Sequence, residues 1–548
     1  LLYNIVDRTK LDKAFQEEIP GIEKCGTSTM LKLREESKVT SSFVQSEVQK
    51  VLTRVSTQKY YDSPSGHFRI HYDTSGTQAV YQPTVDVNPQ NGVPDYVDRT
   101  AEIFDRVWGI EIGVDSLGYD APAPDSIVGG GLNLYDIYMH HESGAYGVTY
   151  NETFNQSYLG RGGWTSYIHV DPNYDGFGYP DRTDPMKVTA AHEFFHAIQF
   201  VYNANAGSWF LEISSTWMED MVYNSINDYY LYLNISTGIF RAPHLSLETE
   251  DGAHEYSACI FDRYVSENYG VPAIKNIWLE TIGGRPAAEA IDSAMVGYGT
   301  SFAKVYGGFC VWNYLTGNRA NNSHSHYSEG ANYPQTTLLR RIIAIPFDST
   351  SENFPALGNY GTYNLKIVGN HLPGTLQLNF SDPFGSPYQG KIIVDSARNY
   401  RDVNFDLSTG EGSGTVERWQ NVDSIIFIPA NVAPSGNGFL FGYSGSITAA
   451  SVPDNNGTVP LQFSLKQNFP NPFNPLTVIR YLLSVNSNVT LKIFDVAGKE
   501  IATLLDNDEQ QSGNHEIQFD ASGLSSGVYF YKLSTATNSQ TRKLILMK

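Results

Sequence analysis

The stretch from Lys187 to Tyr223, KVTAAHEFFHAIQFVYNANAGSWFLEISSTWMEDMVY, constrains this chain more than any other. Asp184-Pro185 just ahead of it reads as a helix start, with Asp as N-cap and Pro at the first helical position, where no N–H is needed. The apolar run continues to about Tyr202, and NANAG stops it. A second helix is expected from Trp209 to about Tyr223. On the first helix His192 and His196 stand four apart and share a face. Glu193 lies beside the first histidine, and a chain reversal brings Glu212 on the second helix within reach of both.

Two imidazoles and one carboxylate are a donor set that zinc takes, and hydrolytic zinc sites leave a fourth position open. Zinc lowers the pKa of a water to about 7. Glu193 is angled to take that water's proton rather than to bind the ion. The hydroxide would attack a polarised carbonyl, and Glu193 would pass the proton to the leaving amine. The plain alternative is a helix that carries two histidines by chance, since the His-Glu-x-x-His pattern gives false positives.

At 548 residues the chain is too long for one core, and length alone points to about three or four domains. Its 58 acids against 37 bases leave a formal charge of −21. Such a surface repels nucleic acid and anionic membranes and suits a secreted protein. Cys25, Cys259 and Cys310 are too few for a disulfide scaffold and allow one bridge with one thiol left over. No run reads as a membrane-spanning helix. The chain opens at Leu1 without a basic-then-apolar leader, so either a signal peptide has been removed or the sequence is incomplete there.

Residues 1–58 are charge-rich, with helix-compatible runs KLDKAFQEEI and SSFVQSEVQKVLTRV and little that could form a core alone. They read as a propeptide-like helical segment. Residues 59–335 mix strands, beginning at SGHFRIHYD, with helices, one of them expected from Tyr256 to about Tyr269 and closed by Gly270. From 336 to 450 helix signals fade and strand runs alternate with turns, as in a β-sandwich. Residues 451–464 are a polar linker. Residues 465–548 form another all-β unit, with tight turns at Ala497-Gly498 and Ser526-Gly527. The expected fold class is multidomain α+β, followed by two all-β sandwich domains.

HEFFH followed by WFLEISSTWMED resembles the gluzincin zinc peptidases. That resemblance implies a zincin-like fold for residues 59–335, zinc on His192, His196 and Glu212, and acid/base work for Glu193. A family of secreted bacterial metalloproteases is similar over roughly residues 20–330, through SGHFRIHYDTSG, NGVPDYVD, TAAHEFFHAIQ and EYSACIFDRYVSENYG. Glu219 follows Glu212 by two helical turns and could hold a ligand histidine through its other ring nitrogen; a surface ion pair is the alternative. Tyr256, in YSACIFDRYV, is similar to the aminopeptidase tyrosine that stabilises an oxyanion, with packing as the alternative. His254 is a weaker candidate for the same task.

Three further features carry expectations. DVNPQNGVPD holds Asp86, Asn88, Asn91 and Asp95 around Gly92, a candidate calcium loop or a plain Asx turn with a helix cap. Asp171, Asp175, Asp181 and Asp184 form a second acidic group. Cys25 in EKCGTS resembles the cysteine-switch motif, in which a prodomain thiolate fills the open zinc position; a disulfide or a free thiol stays open.

The tail, with Pro470-Asn471-Pro472-Phe473-Asn474-Pro475 and LSSGVYFYKL, resembles the sorting domain of type IX secretion substrates. It implies export from a Gram-negative cell through that machinery, then release or surface attachment. The expected function is a secreted zinc metallopeptidase acting on protein or peptide. The alternatives are a non-catalytic adhesin with a structural metal, or a zinc hydrolase of another amide such as a peptidoglycan crosslink.

Overall fold

The computed structural model describes residues 23–38, 42–113, 116–124, 134–142, 145–322, 326–396, 399–407, 409–448, 463–468 and 471–547. The expected helix in KLDKAFQEEI, most of the linker and Pro470 lie outside these residues. Among the described residues no helix is long and apolar enough to cross a membrane.

The first unit is a mixed sheet with helices behind it. Its strands are β1 (Glu23–Cys25), β2 (Lys59–Asp62), β3 (Phe68–Tyr72), β4 (Tyr135–Met139), β5 (Ala145–Asn155) and β6 (Gly163–Val170). They lie in the order β1-β5-β6-β4-β3-β2. The FRIHY alternation of β3 buries Phe68, Ile70 and Tyr72 on one face. Helix α3 (Asp95–Glu111) covers that face with Val97, Ala101, Phe104 and Val107, at helical spacing. Two helices precede it, α1 (Thr27–Ser37) and α2 (Ser42–Val51).

Helix α4 (Thr183–Tyr202) and helix α5 (Ser208–Tyr223) form the centre. Both are buried along nearly their whole length, polar side chains included. The start of α4 differs from the expectation. The N-cap position is Arg182, which makes no side-chain cap bond; the Asp181 carboxylate accepts the Thr183 N–H at 2.8 Å, while Asp184 sits inside the first turn and pairs with Lys187. The expected Tyr256–Tyr269 helix is broken into α7 (His254–Ser257) and α8 (Ile260–Tyr269), with α6 (Tyr230–Leu233) before them. Gly270, at φ 90°, closes α8. Helices α9 (Pro272–Glu280), α10 (Ala287–Val296) and α11 (Phe302–Tyr314) complete the unit. Trp278 of α9 packs on Phe195 and Phe210, joining α9 to α4 and α5.

Residues 340–448 form two facing sheets of four and five strands. This sandwich shares a core with the helical unit. In the strand Ser424–Asn431, Ile425 and Phe427 face the interior of the sandwich. Ile426, Ile428 and Ala430 face the other way, into the core of the helical unit. One strand with period two therefore serves two cores, and each buried isoleucine contributes about 1.5–3 kcal/mol.

The described part of the N-terminal segment packs on the sheet. Met30, Leu33 and Val48 pack on Tyr138, Val148, Tyr150 and Tyr167 of the sheet. Arg54 then ties the end of the segment down. Its guanidinium grips both Glu152 oxygens, at 2.8 and 2.6 Å, also reaches Asp136, and lies 5.0 Å from the Tyr167 ring.

The tail has two small sheets of three and four strands. Its core, from Leu465 to Leu546, is built among the described residues from tail side chains only. A chain ending at Thr448 should therefore keep the unfolding midpoint of the remaining domains and lose one calorimetric transition. A shifted midpoint in the truncated chain would contradict the separate core.

Candidate metal centre

Helix α4 presents His192 and His196 one turn apart, toward α5. Helix α5 returns Glu212 to them. Glu212 Oε2 lies 3.0 Å from His192 Nε2 and 3.6 Å from His196 Nε2, and the two Nε2 atoms are 3.2 Å apart. A fourth donor arrives from β1: Cys25 Sγ stands 3.3 Å from His196 Nε2. The ligand atoms of all four residues lie within 4.8 Å of one another, and each residue is at most 3% exposed. Donors held on one ion in a tetrahedron stand roughly 3.3–3.8 Å apart; the distances here straddle that range, from 3.0 Å to at most 4.8 Å, and the four residues could hold a single cation. Among the described residues this is the one such cluster of His, Cys, Asp and Glu.

The far ring nitrogens are anchored. His192 Nδ1 bonds Glu219 Oε1 at 2.8 Å. His196 Nδ1 bonds Gln199 Oε1 at 2.7 Å, and the Gln199 amide donates to the Leu211 carbonyl and to Ser215. With a proton on each Nδ1, these bonds would leave both Nε2 atoms, which face the cluster, available to a metal. The Gln199 role was not foreseen; its one signal is a polar residue three positions after His196 in an otherwise apolar run.

The electrostatics also suit a cation. Burial opposes charge on His192, yet the Glu212 and Glu219 carboxylates hold it up to about 9. Burial likewise opposes the Glu212 charge, and the two imidazoles hold its carboxyl well below the usual range. Burial first, then Glu193 and Glu212, push the Cys25 thiol up.

Glu193 sits beside the cluster and outside it. Its Oε2 accepts hydrogen bonds from the hydroxyls of Thr149 at 2.7 Å and Thr27 at 2.9 Å. Its Oε1 is buried without a partner among the described residues. Strand β5 passes this close only because residue 147 is glycine: a Cβ there would stand 2.8 Å from Glu193 Cγ and 2.6 Å from Thr189 Cγ2.

The N-terminal segment touches nearly every part of the centre. Strand β1 pairs in parallel with the edge of β5, Cys25 opposite Gly147, and Gly26 N–H donates to the Gly147 carbonyl at 3.0 Å. Beyond Cys25 and Thr27, Ser28 Oγ donates to Glu212 Oε1 at 2.5 Å. The Tyr256 hydroxyl donates to the Cys25 carbonyl at 3.4 Å. All three cysteines are free and buried, so Cys25 bridges neither Cys259 nor Cys310. His254 is not among the four clustered donors; its Nδ1 donates to the Thr237 carbonyl.

The acidic loops place their oxygens otherwise. Asp86 accepts the Asn91 and Gly92 amides, Asp95 accepts those of Val87 and Asn88, and Asn91 accepts that of Val93. This is the hydrogen bonding of an Asx turn. Asp171 accepts the Asn173 and Tyr174 amides, and Asp175 pairs with Arg182.

Residues 467–547 match the secretion system C-terminal sorting domain family. That domain marks the chain as a substrate of the type IX secretion machinery and as a secreted or cell-surface protein. No curated protein matches the chain in sequence. Among solved structures it is similar to a β-1,2-glucanase from Parabacteroides distasonis, at 13% identity over 37% of this chain and 32% of that one, with a TM-score of 0.16. It is also similar to a β-glucuronidase from Faecalibacterium prausnitzii, at 8% identity over 34% and 37%, with a TM-score of 0.19. The chain spans about a third of the length of these structures, and likenesses this slight carry no argument about activity.

If Gln199 orients His196, Gln199→Leu should weaken metal affinity about ten- to a hundredfold while leaving the fold intact. Competition with a chromogenic chelator measures this, and unchanged affinity would contradict the assigned role.

Proposed function

We propose that this protein is a secreted zinc-dependent peptidase, held latent by its own N-terminal segment. The observation that carries the proposal is the convergence of His192, His196 and Glu212 beside an unligated Glu193, with the fourth donor supplied by a separable strand. His192, His196 and Glu212 would hold Zn²⁺ in this account. When bound, the ion supplies Lewis acidity to a water and to a peptide carbonyl.

The chain's own residues do the rest. Glu193 takes a proton from the attacking water and returns it to the leaving amine. Its unpartnered Oε1 is free to do so, while Thr149 holds Oε2. Tyr256 donates to the oxygen of the reacting carbonyl, as it does to the Cys25 carbonyl. Glu219 and Gln199 keep the histidines oriented.

Latency acts at several points at once. Cys25 would supply the fourth donor to the ion, Thr27 hydrogen-bonds the base, and Ser28 hydrogen-bonds Glu212. Release requires a cut downstream. The connection at residues 54–58 has neither helix nor strand, and Ser56 and Gln58 are exposed within it.

One observation favours a second function. A closed Cys-His-His-Glu set is also what a structural zinc site presents, as in an adhesin whose β domains bind the partner. The two differ in what the loss of Cys25 would do. In a structural site its removal unfolds the domain; in a latent enzyme its removal opens the active site.

Glu193→Gln in the processed protein should retain stoichiometric zinc and lose at least about a hundredfold in peptide turnover, whereas His196→Ala should lose both. Full activity in Glu193→Gln would overturn the mechanism. Cys25→Ser should raise the activity of the uncut chain, since a hydroxyl is a poor zinc ligand at neutral pH. An inactive, folded, zinc-loaded Cys25→Ser chain would contradict latency through the thiol.

A further inference from the structure

Beside Cys25, the strand that blocks the centre carries a lysine that is fully buried. Lys24 Nζ lies 2.7 Å from Glu219 Oε2 and also bonds Asp228 Oδ2. Its side chain is 3% exposed, that of Glu219 is 1% and that of Asp228 is 0%. The Tyr179 hydroxyl donates to the other Asp228 oxygen, and the Tyr232 ring lies 5.2 Å from the ammonium. Burial opposes the charge, but Asp228 and Glu219 outweigh it and keep the lysine protonated. These four residues form a socket shaped for one cationic side chain.

The socket adjoins the metal centre through a shared carboxylate. Glu219 gives Oε1 to His192 and Oε2 to Lys24. The strand that fills it is held as a peptide would be, by backbone pairing along the β5 edge at Ala145 and Gly147. A chain added to a sheet edge takes its affinity from the main chain and its specificity from pockets for individual side chains. Once the segment leaves, the socket's two carboxylates lose their cation. Two neighbouring carboxylates without a counter-charge favour a positive group.

Resting on the peptidase function above, we infer that this socket is the specificity pocket, and that the preferred substrate carries a lysine or arginine next to the bond that is cut. Lys24 is then a built-in substrate mimic, and Glu219 and Asp228 are specificity-determining residues. Tyr232 favours the same occupant by cation–π attraction.

Two measurements on the full chain, cut at residues 54–58 and freed of its segment, test this. In the first, a fluorescent peptide of sequence Ile22–Ser28 is titrated against the protein. Replacing its lysine by methionine should weaken binding at least tenfold, and replacement by arginine should weaken it only a few-fold. Asp228→Asn should abolish the discrimination between lysine and methionine. In the second, cleavage of a mixed peptide library should cluster beside basic residues, and Asp228→Asn should disperse it.

Equal binding of the lysine and methionine peptides would overturn the pocket. Cleavage with no basic preference would also overturn it while leaving the peptidase function standing. Lysine-dependent binding without cleavage of any peptide would support the pocket and overturn the peptidase function.

Discussion

A carboxylate buried to 1% exposure between two imidazoles governs this structure. Glu212 has surrendered its water, and only positive charge can compensate. The imidazoles supply part of it, and their outer nitrogens are in turn held by Glu219 and Gln199. Every element of the helical unit serves that arrangement. Helices α4 and α5 are buried along nearly their whole length and so carry the polar centre inside the protein. Helices α3, α8 and α9 pack on α4 and α5, and the outer face of the sandwich sheet packs on α11. The shared isoleucines of Ser424–Asn431 make the sandwich part of this packing, while the tail keeps its own core.

The N-terminal segment fits into the same electrostatics. It brings a thiol to two imidazoles and a carboxylate, hydroxyls to Glu193 and Glu212, and an ammonium to Glu219 and Asp228. Four consecutive hydrogen-bonding residues broken only by Gly26 meet complementary partners. The segment itself has little apolar surface, so its attachment rests on Met30, Leu33 and Val48, on the Arg54 ion pairs and on these polar contacts. In the proposed function one cut downstream would release this anchor.

Much of this was legible in the sequence. The helices of the centre announced themselves through all-round apolarity bounded by Asp-Pro and Asn-Ala-Asn-Ala-Gly, and four-residue spacing placed the histidines on one face. The tail could be read as strands because its alternation is strict and its turns are marked by glycine. Other features were hidden. The start of α4 lies at Thr183, ahead of the proline, so Asp184 falls inside the first turn and is not its cap. The break between α7 and α8 carries no Gly or Pro to mark it. Helices α9 to α11 went unassigned although Pro272, Pro286 and Ser301 stand at their starts. Lys24 could not be read at all, because its partners Glu219 and Asp228 lie 195 and 204 positions away and only the fold unites them.

The central claim is that one metal ion joins the segment's thiol to the two histidines and the carboxylate. X-ray absorption at the metal edge of the uncut protein measures this directly. The account predicts one zinc per chain with a single sulfur at about 2.3 Å and nitrogen and oxygen donors at about 2.0–2.2 Å, and loss of the sulfur scattering once the segment is cut and removed. A zinc site in the uncut chain with no sulfur, or a folded chain that takes up no metal, would contradict it.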